Sequence, residues 1–394
     1  MTLFQSTPTT PELLYQPAPL VLHVTEALGG GLEAAILDYA RSTPQYRHAL
    51  LCTRRGDYAT ADPFADVFVE VRNVGRGALA LARSYRSALL ELQPAVVHLH
   101  SAWAGLIGRA PGTSMSRVPV VYSPHSYFFE RHDVGTAKRV LAWWLERLLA
   151  TRTELIAALS PHEVEEAHRL GARAVFVPNV VRVPRALHWS GDASDEVIAV
   201  GRVAAQKDPR FFLEVVDEAR RRLPHQRWTW IGDGEPALVQ ELRDRGVEVT
   251  GWMPRTEVLE RLAGAAAYLH TAAWEGSPIV LLEAEALGVP VVARSIDSLT
   301  SLGYDGGLHE PAAVAQRLAE TLSGQRSAPS MSHVGSAADQ IEALSAAYAQ
   351  AVAAASTRGR SKTSGAQAAR GRSRAGRTSR TTAPTSSRMT RVDA

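Results

Sequence analysis

Two α/β domains in tandem, each a doubly wound parallel sheet with helices on both faces, are what this sequence predicts. Three observations carry that reading. Short apolar runs alternate with amphipathic helical stretches along most of the chain. Several runs, such as LVLHV at 20–24 and AVVHLH at 95–100, are apolar nearly throughout, as strands covered on both faces must be. The alternation breaks over polar, Pro-containing residues 180–195 and then restarts, which divides it in two. A length of 394 residues suits two domains and a tail.

In the first domain the strands are expected at 20–24, 48–52, 65–71, 95–100, 119–123, 154–160 and 174–178. Residue periodicity places helices at 33–41, 77–92, 136–151 and 161–170, the last opened by Ser160 and Pro161. After the break, strands are expected at 196–201, 227–232, 247–251, 266–270 and 289–293. Helices fall between them at 209–222, 236–243, 256–263 and 279–287, with two more at 312–322 and 337–354. The domain limits are therefore a disordered segment 1–18, a first Rossmann-like domain 19–180, a linker 181–195, a second Rossmann-like domain 196–330, a helix 331–356 and a tail 357–394. The tail is rich in Arg, Ser, Thr and Gly, without periodicity, and cannot bury enough apolar surface to fold alone.

Composition excludes several function classes. The lone cysteine, Cys52, allows no internal disulfide and fits a reducing compartment. The start lacks the basic and apolar runs of a signal peptide, and no apolar stretch is long enough to span a bilayer, so a cytoplasmic location is expected. The net charge of +3 hides an asymmetry: nine Arg and Lys362 lie between Arg358 and Arg391, leaving a mildly acidic body. That body offers no nucleic-acid surface, and no specific nucleic acid is expected as partner. The basic tail suits peripheral attachment to an anionic membrane, at roughly 1 kcal/mol per charge, or non-specific nucleic-acid contact, or no role.

Four clusters fall at strand ends, where doubly wound sheets bind ligands. Gly29-Gly30-Gly31 precedes a helix, where bare backbone amides favour an anion; a flexible turn explains it as well. It is neither a GxGxxG fingerprint nor a P-loop. Arg202 and Lys207 follow the first strand of the second domain and suit a diphosphate, or form a solvated basic loop. Glu275 and Glu283 are separated by seven residues in TAAWEGSPIVLLEAEALGVPVVA, and a helix-borne carboxylate accepts hydrogen bonds from vicinal hydroxyls. With Glu285 beside it, Glu283 also fits an ordinary charged helix face. His125, in VVYSPHSYFF, suits a sugar hydroxyl or proton transfer, although a packed histidine is as common. His98, His100, His132, His162 and His270 have no better claim; His98 and His100 alternate on one strand without a cysteine or third ligand in sequence, and a metal is not expected.

In their joint order these motifs resemble the retaining glycosyltransferases of family 4, over about residues 20–325. The block from Glu275 to Glu283 followed by LGVPVVA is the most specific part; Gly201-Arg202 with Lys207, the glycine run, His125 and Pro178-Asn179 fit beside it. The resemblance implies a GT-B fold, a nucleotide-sugar donor with UDP or GDP as substrate rather than a cofactor, no metal, and a glycan or lipid-linked acceptor in surface-glycan or exopolysaccharide synthesis. It also implies roles: Arg202 and Lys207 on the diphosphate, Glu283 on ribose hydroxyls, Glu275 on the transferred sugar, and the backbone of Gly276 and Ser277 near sugar or phosphate. His125 would touch the sugar from the first domain, and Gly29, Gly30 and Gly31 would approach phosphates or acceptor. The sequence departs from the family in reading EGSP, where Pro278 has no amide hydrogen, and in Val180, where glycine is common. A nucleotide-sugar epimerase, a phosphorylase-like enzyme and a non-catalytic scaffold of the same fold are the rival readings.

Overall fold

The computed structural model describes residues 17–54, 64–113, 118–189, 191, 195–324 and 335–355. Sequence limits 1–16 and the tail beyond 355 lie outside them. The first sheet has strands β1 (Leu20–Leu28), β2 (Arg47–Arg54), β3 (Glu70–Asn73), β4 (Val96–His100), β5 (Val120–Ser123), β6 (Leu155–Ala158) and β7 (Ala174–Phe176). They are all parallel, in the order β3-β2-β1-β4-β5-β6-β7. The second sheet has β8 (Glu196–Val200), β9 (Arg227–Ile231), β10 (Glu248–Val249), β11 (Ala267–His270) and β12 (Val291–Ala293), parallel in the order β10-β9-β8-β11-β12. In each sheet the chain first winds one way and then the other. The strand order reverses between β1 and β4, and again between β8 and β11, and a crevice opens at the carboxyl ends there.

Helices cover both faces. In the first domain these are α1 (Gly31–Ser42), α2 (Ala78–Leu92), α3 (Ala102–Arg109), α4 (Thr136–Leu149) and α5 (Pro161–Arg169). In the second they are α6 (Pro209–Arg220), α7 (Pro236–Asp244), α8 (Arg255–Ala263), α9 (Ile279–Ala286), α10 (Asp297–Ser301) and α11 (Pro311–Leu322). A final helix, α12, runs over 337–355. It crosses back to the first domain, burying Leu344, Ala347, Tyr348 and Ala351 against Val21, Val96, Val121 and Ala157 of that sheet. Ser42 donates to Gln340 at 2.7 Å to fix its start.

Three local expectations differ from the structure. The expected strand at 65–71 is a turn over 64–67, with the amides of Val67 and Phe68 bonded to the Phe64 carbonyl, and only 70–73 is strand. The reason is the Phe64–Phe68 pair, whose rings meet at 5.8 Å; spacing of four, not alternation, brings them together. Helix α3 was not expected, because its buried residues include Gly105 and Gly108, poor helix formers. Both are needed there: a Cβ would lie 2.4 Å from the Tyr122 ring at Gly105 and 2.5 Å from Leu99 at Gly108. The segment taken as a bare linker is packed instead. Val181, Val183, Leu187 and Trp189 join the core of the second domain, and the Trp189 indole donates to the Ala265 carbonyl at 3.0 Å.

Candidate active site at the two switch points

The glycine run leaves β1 and enters α1. Gly29 and Gly30 have φ of 151° and 58°, conformations that side chains disfavour, and Gly31 opens the helix. Gly31 faces the other domain, since a Cβ there would stand 3.4 Å from Ile279 at the start of α9. In the second domain, Gly201 (φ 139°) ends β8, and a Cβ would meet the Lys207 chain at 2.8 Å. Lys207 therefore folds back over the strand end. Its ammonium pairs with Glu275 at 2.5 Å, in the loop after β11. Arg202 is exposed and makes no hydrogen bond or ion pair with another described residue. The amide end of the helix that follows these cations is largely taken up: Pro209 has no amide hydrogen, and Asp208 caps α6, accepting from the Phe211 amide at 3.2 Å and pairing with Arg294 at 2.7 Å. Positive charge at this switch point thus comes from side chains.

Glu283 lies on α9, buried, with Arg255 of α8 paired to it. Burial pushes its carboxyl up to about 7; Arg255 opposes the shift and Asp38 of the first domain adds to it. Ser277 is buried, and its carbonyl accepts from Asn179 at 2.8 Å across the domain boundary. Gly276 sits where the domains meet: a Cβ would be 2.8 Å from Glu163 Oε1, 3.1 Å from the Ser126 amide and 3.2 Å from Leu159. The structure thus brings Lys207, Glu275, Gly276, Ser277 and Glu283 to one crevice, with Gly31 and the His125 loop on its first-domain side.

The His125 loop follows β5. His125 (φ 54°) and Ser126 (φ 76°) are consecutive non-glycine residues in the left-handed region, each costing on the order of 1 kcal/mol or more. Neighbouring carboxylates hold them there. Glu163, from α5, accepts from the amides of Ser126 (2.7 Å) and Leu159 (2.8 Å). Glu130 accepts from the Tyr127 amide (2.9 Å) and the Ser126 hydroxyl (3.0 Å), and pairs with His162 at 2.7 Å. Burial raises Glu163 to about 7. Sequence reasoning missed Glu163 and Glu130; no spacing signals a carboxylate that holds a loop.

Behind His125 runs a chain of buried histidines. His125 Nε2 meets His100 Nδ1 at 3.1 Å, His100 Nε2 meets His23 Nδ1 at 3.0 Å, and His23 Nε2 meets His48 Nδ1 at 3.1 Å. The chain ends on the Thr43 carbonyl, 3.0 Å from His48 Nε2. A carbonyl only accepts, so His48 carries its proton on Nε2 and accepts at Nδ1. Each ring then sets the next, and His125 donates from Nε2, leaving Nδ1 as a bare acceptor. Burial lowers the basicity of all four rings, His125 to about 3, which keeps the chain neutral. His98 is fixed separately: Ser123 donates to the Ala157 carbonyl, so it accepts from His98 Nε2 (2.9 Å), and Tyr348 of α12 donates to Nδ1 (2.8 Å).

A third ligand does stand beside His98 and His100: β1 pairs with β4, and ring nitrogens of His23, His98 and His100 lie within 4.8 Å of one another. The partner came from a strand 75 residues away, beyond any sequence spacing. Every one of these nitrogens is, however, engaged in the hydrogen bonds just described.

Models of two glycosyltransferase domains match this chain: the glycosyl transferase 4-like domain over residues 30–186 and the glycosyl transferases group 1 domain over 194–324. The chain belongs to the group 1 glycosyltransferases. Its two sheets and their facing ends are the GT-B fold. It is similar to an uncharacterized 41.2 kDa protein in the cps region of Klebsiella pneumoniae, 24% identical over 73% of this chain and 84% of that one. It is also similar to the UDP-Gal:alpha-D-GlcNAc-diphosphoundecaprenol alpha-1,3-galactosyltransferase of Escherichia coli, 26% identical over 55% of this chain and 62% of that one. Among solved structures, Anabaena HepE in complex with UDP and glucose superposes with a TM-score of 0.67, at 18% identity, over 86% of this chain and all of that one. Among the described residues of this glycosyltransferase no helix is long and apolar enough to cross a membrane.

Proposed function

We propose that the crevice transfers a sugar from a UDP- or GDP-linked donor to a glycan or lipid-linked acceptor, with retention and without a metal, in surface-glycan synthesis. The observation that carries this reading is the grouping of Lys207, Glu275 and Glu283 at the second switch point, opposite Gly31 and the His125 loop. Arg202 and Lys207 take the diphosphate and stabilise the charge that develops on it. Lys207 moves from Glu275 to phosphate as the donor enters, freeing the carboxylate for the sugar. Glu283 accepts from the ribose hydroxyls, the backbone of Gly276 and Ser277 lies beside sugar or phosphate, and the glycines at 29–31 approach the phosphates or acceptor. His125 accepts a sugar hydroxyl at Nδ1.

In the transfer itself the bond from the anomeric carbon to the phosphate oxygen breaks, and the nucleotide diphosphate leaves with the electron pair. The acceptor oxygen bonds that carbon on the same face, and its proton passes to the departing phosphate oxygen. The enzyme works at the inner face of the plasma membrane, with the basic tail assisting attachment to anionic lipid.

The test is a thermal-shift series with UDP, GDP and ADP on the wild type and on Lys207→Ala. A nucleotide at about 100 times its Kd stabilises the native state by roughly 2.7 kcal/mol. One nucleotide should stabilise the wild type and not the variant. No response to any of them would favour a non-catalytic scaffold.

A further inference from the structure

Helix α4 carries an apolar stripe that no other described residue covers. Val140, Leu141, Trp144, Leu145 and Leu148 are exposed, Trp144 by 61% and Leu148 by 65%. Their spacing of three and four puts them on one face. Trp103 of α3, a helix in contact with α4, is exposed as well. A core-facing helix would bury this stripe; α4 buries only Glu146 and Leu149.

Charge says what covers it. Lys138, Arg139 and Arg147 are the basic residues of α4, and Arg152 follows it, exposed. The helix has one acid, Glu146, and that is buried in a two-pronged pair with Arg109 at 2.8 and 2.9 Å. Asp133, just ahead of the helix, is paired with Arg131 at 2.6 Å. So every charge that α4 shows to solvent is positive. An apolar stripe of Trp and Leu flanked only by cations is the composition of a helix lying in an anionic lipid interface.

We infer that α4 is a membrane-docking face, seated in the headgroup layer of anionic phospholipid and independent of the basic tail. It begins 11 residues after His125, and Arg139 bonds back to the Phe129 carbonyl at 2.8 Å. Docking through α4 therefore sets the first-domain side of the crevice beside the bilayer. The inference stands on the helix surface and not on the transfer reading.

The experiment is sedimentation of the full chain with vesicles of equal parts phosphatidylglycerol and phosphatidylethanolamine, at low salt and at about 1 M NaCl, where screening reaches about 3 Å. Attraction by the tail fails in high salt, and apolar insertion survives it. The wild type should remain bound in high salt, with a blue-shifted Trp144 emission obtained by difference against Trp144→Phe. Trp144→Glu with Leu148→Glu should weaken that salt-resistant binding by at least about tenfold. Leu90→Glu, at an exposed leucine of α2, should not. Equal binding of wild type and double variant in high salt would overturn the inference, as would no binding by either. So would a double variant that only converts a dimer to a monomer, since the stripe would then face a second copy. The thermal response to UDP and GDP stays unchanged in these variants, so failure here is distinct from failure of the donor site.

Discussion

Consider Glu283→Gln. In the wild type, burial holds this carboxyl near 7, although Arg255 is paired with it. In the proposed function Glu283 takes two ribose hydroxyls, and the ionised carboxylate accepts from both in charge-assisted bonds. The protonated acid keeps one carbonyl acceptor and turns a donor toward the second hydroxyl, so the donor binds mainly to the ionised form. At pH 6 that form is about a tenth of the total and at pH 8 about nine tenths, so nucleotide affinity should fall about tenfold between them. The same shift is a stability statement. The folded pKa is raised, so the native state holds the extra proton between the ordinary carboxylate range and about 7. Stability from this group is therefore present at low pH and lost as pH rises to about 7, by about 3 kcal/mol in all. Glutamine keeps the neutral shape at every pH. The variant should be more stable than the wild type at pH 8, by up to about 3 kcal/mol, yet bind nucleotide roughly ten- to a hundredfold more weakly. Isothermal titration from pH 6 to 8 and urea unfolding at both ends measure the two effects. A wild-type affinity flat across that range, or a variant no more stable at pH 8, would refute the argument.

Gly276→Ala introduces a Cβ 2.8 Å from Glu163 Oε1; kcat/KM should fall at least about tenfold while the melting temperature of the first domain holds, because the wedge acts between domains. Arg109→Met leaves Glu146 buried and unpaired, and should cost about 3–5 kcal/mol in urea unfolding; adding Glu146→Leu should recover most of it. His48→Leu removes the anchor on the Thr43 carbonyl, so the tautomer of His125 is no longer set. Nitrogen NMR should show both forms of His125, and turnover should fall only about twofold with nucleotide affinity unchanged, since about half of the molecules keep the acceptor at Nδ1.

How much of this was legible depends on the range of the interaction. Most of the strands were, because a run such as LVLHV states its own burial. So was the cap of α5, where Ser160 accepts from the Glu163 amide at 3.2 Å, a contact three residues long. The clusters at the strand ends were legible because strand order follows from chain order in a doubly wound sheet: residues after β8 and β11 had to become neighbours. What was not legible is what those neighbours do to each other. Nothing in the spacing of Lys207 and Glu275 says that they pair, and Asp208-Pro209, which carries the same cap signal as Ser160-Pro161, says nothing of the ion pair with Arg294, 86 positions away. Glu163 read as the third residue of a helix and is instead the support of two strained residues 37 positions away.

The histidines show the same limit from the other side. His23, His48, His98 and His100 were isolated polar interruptions in apolar strands. Parallel pairing of β2 with β1 and of β1 with β4 stacks them into one layer, and three of them come close enough to suggest a metal. Counting protons separates the two arrangements. A metal ligand needs a lone pair aimed at the ion, and each ring here offers one at Nδ1. The Nδ1 of His48, His23, His100 and His98 accept from His23, His100, His125 and Tyr348 in turn, so a metal would have to break bonds that run unbroken to the Thr43 carbonyl. Neutral rings also explain why burial is tolerated: both nitrogens of His23, His48, His98 and His100 have partners, and the nitrogen left over in the chain is Nδ1 of His125. The layer is a scaffold that fixes the tautomer of His125, and so which of its nitrogens is free to accept from the sugar of the proposed function.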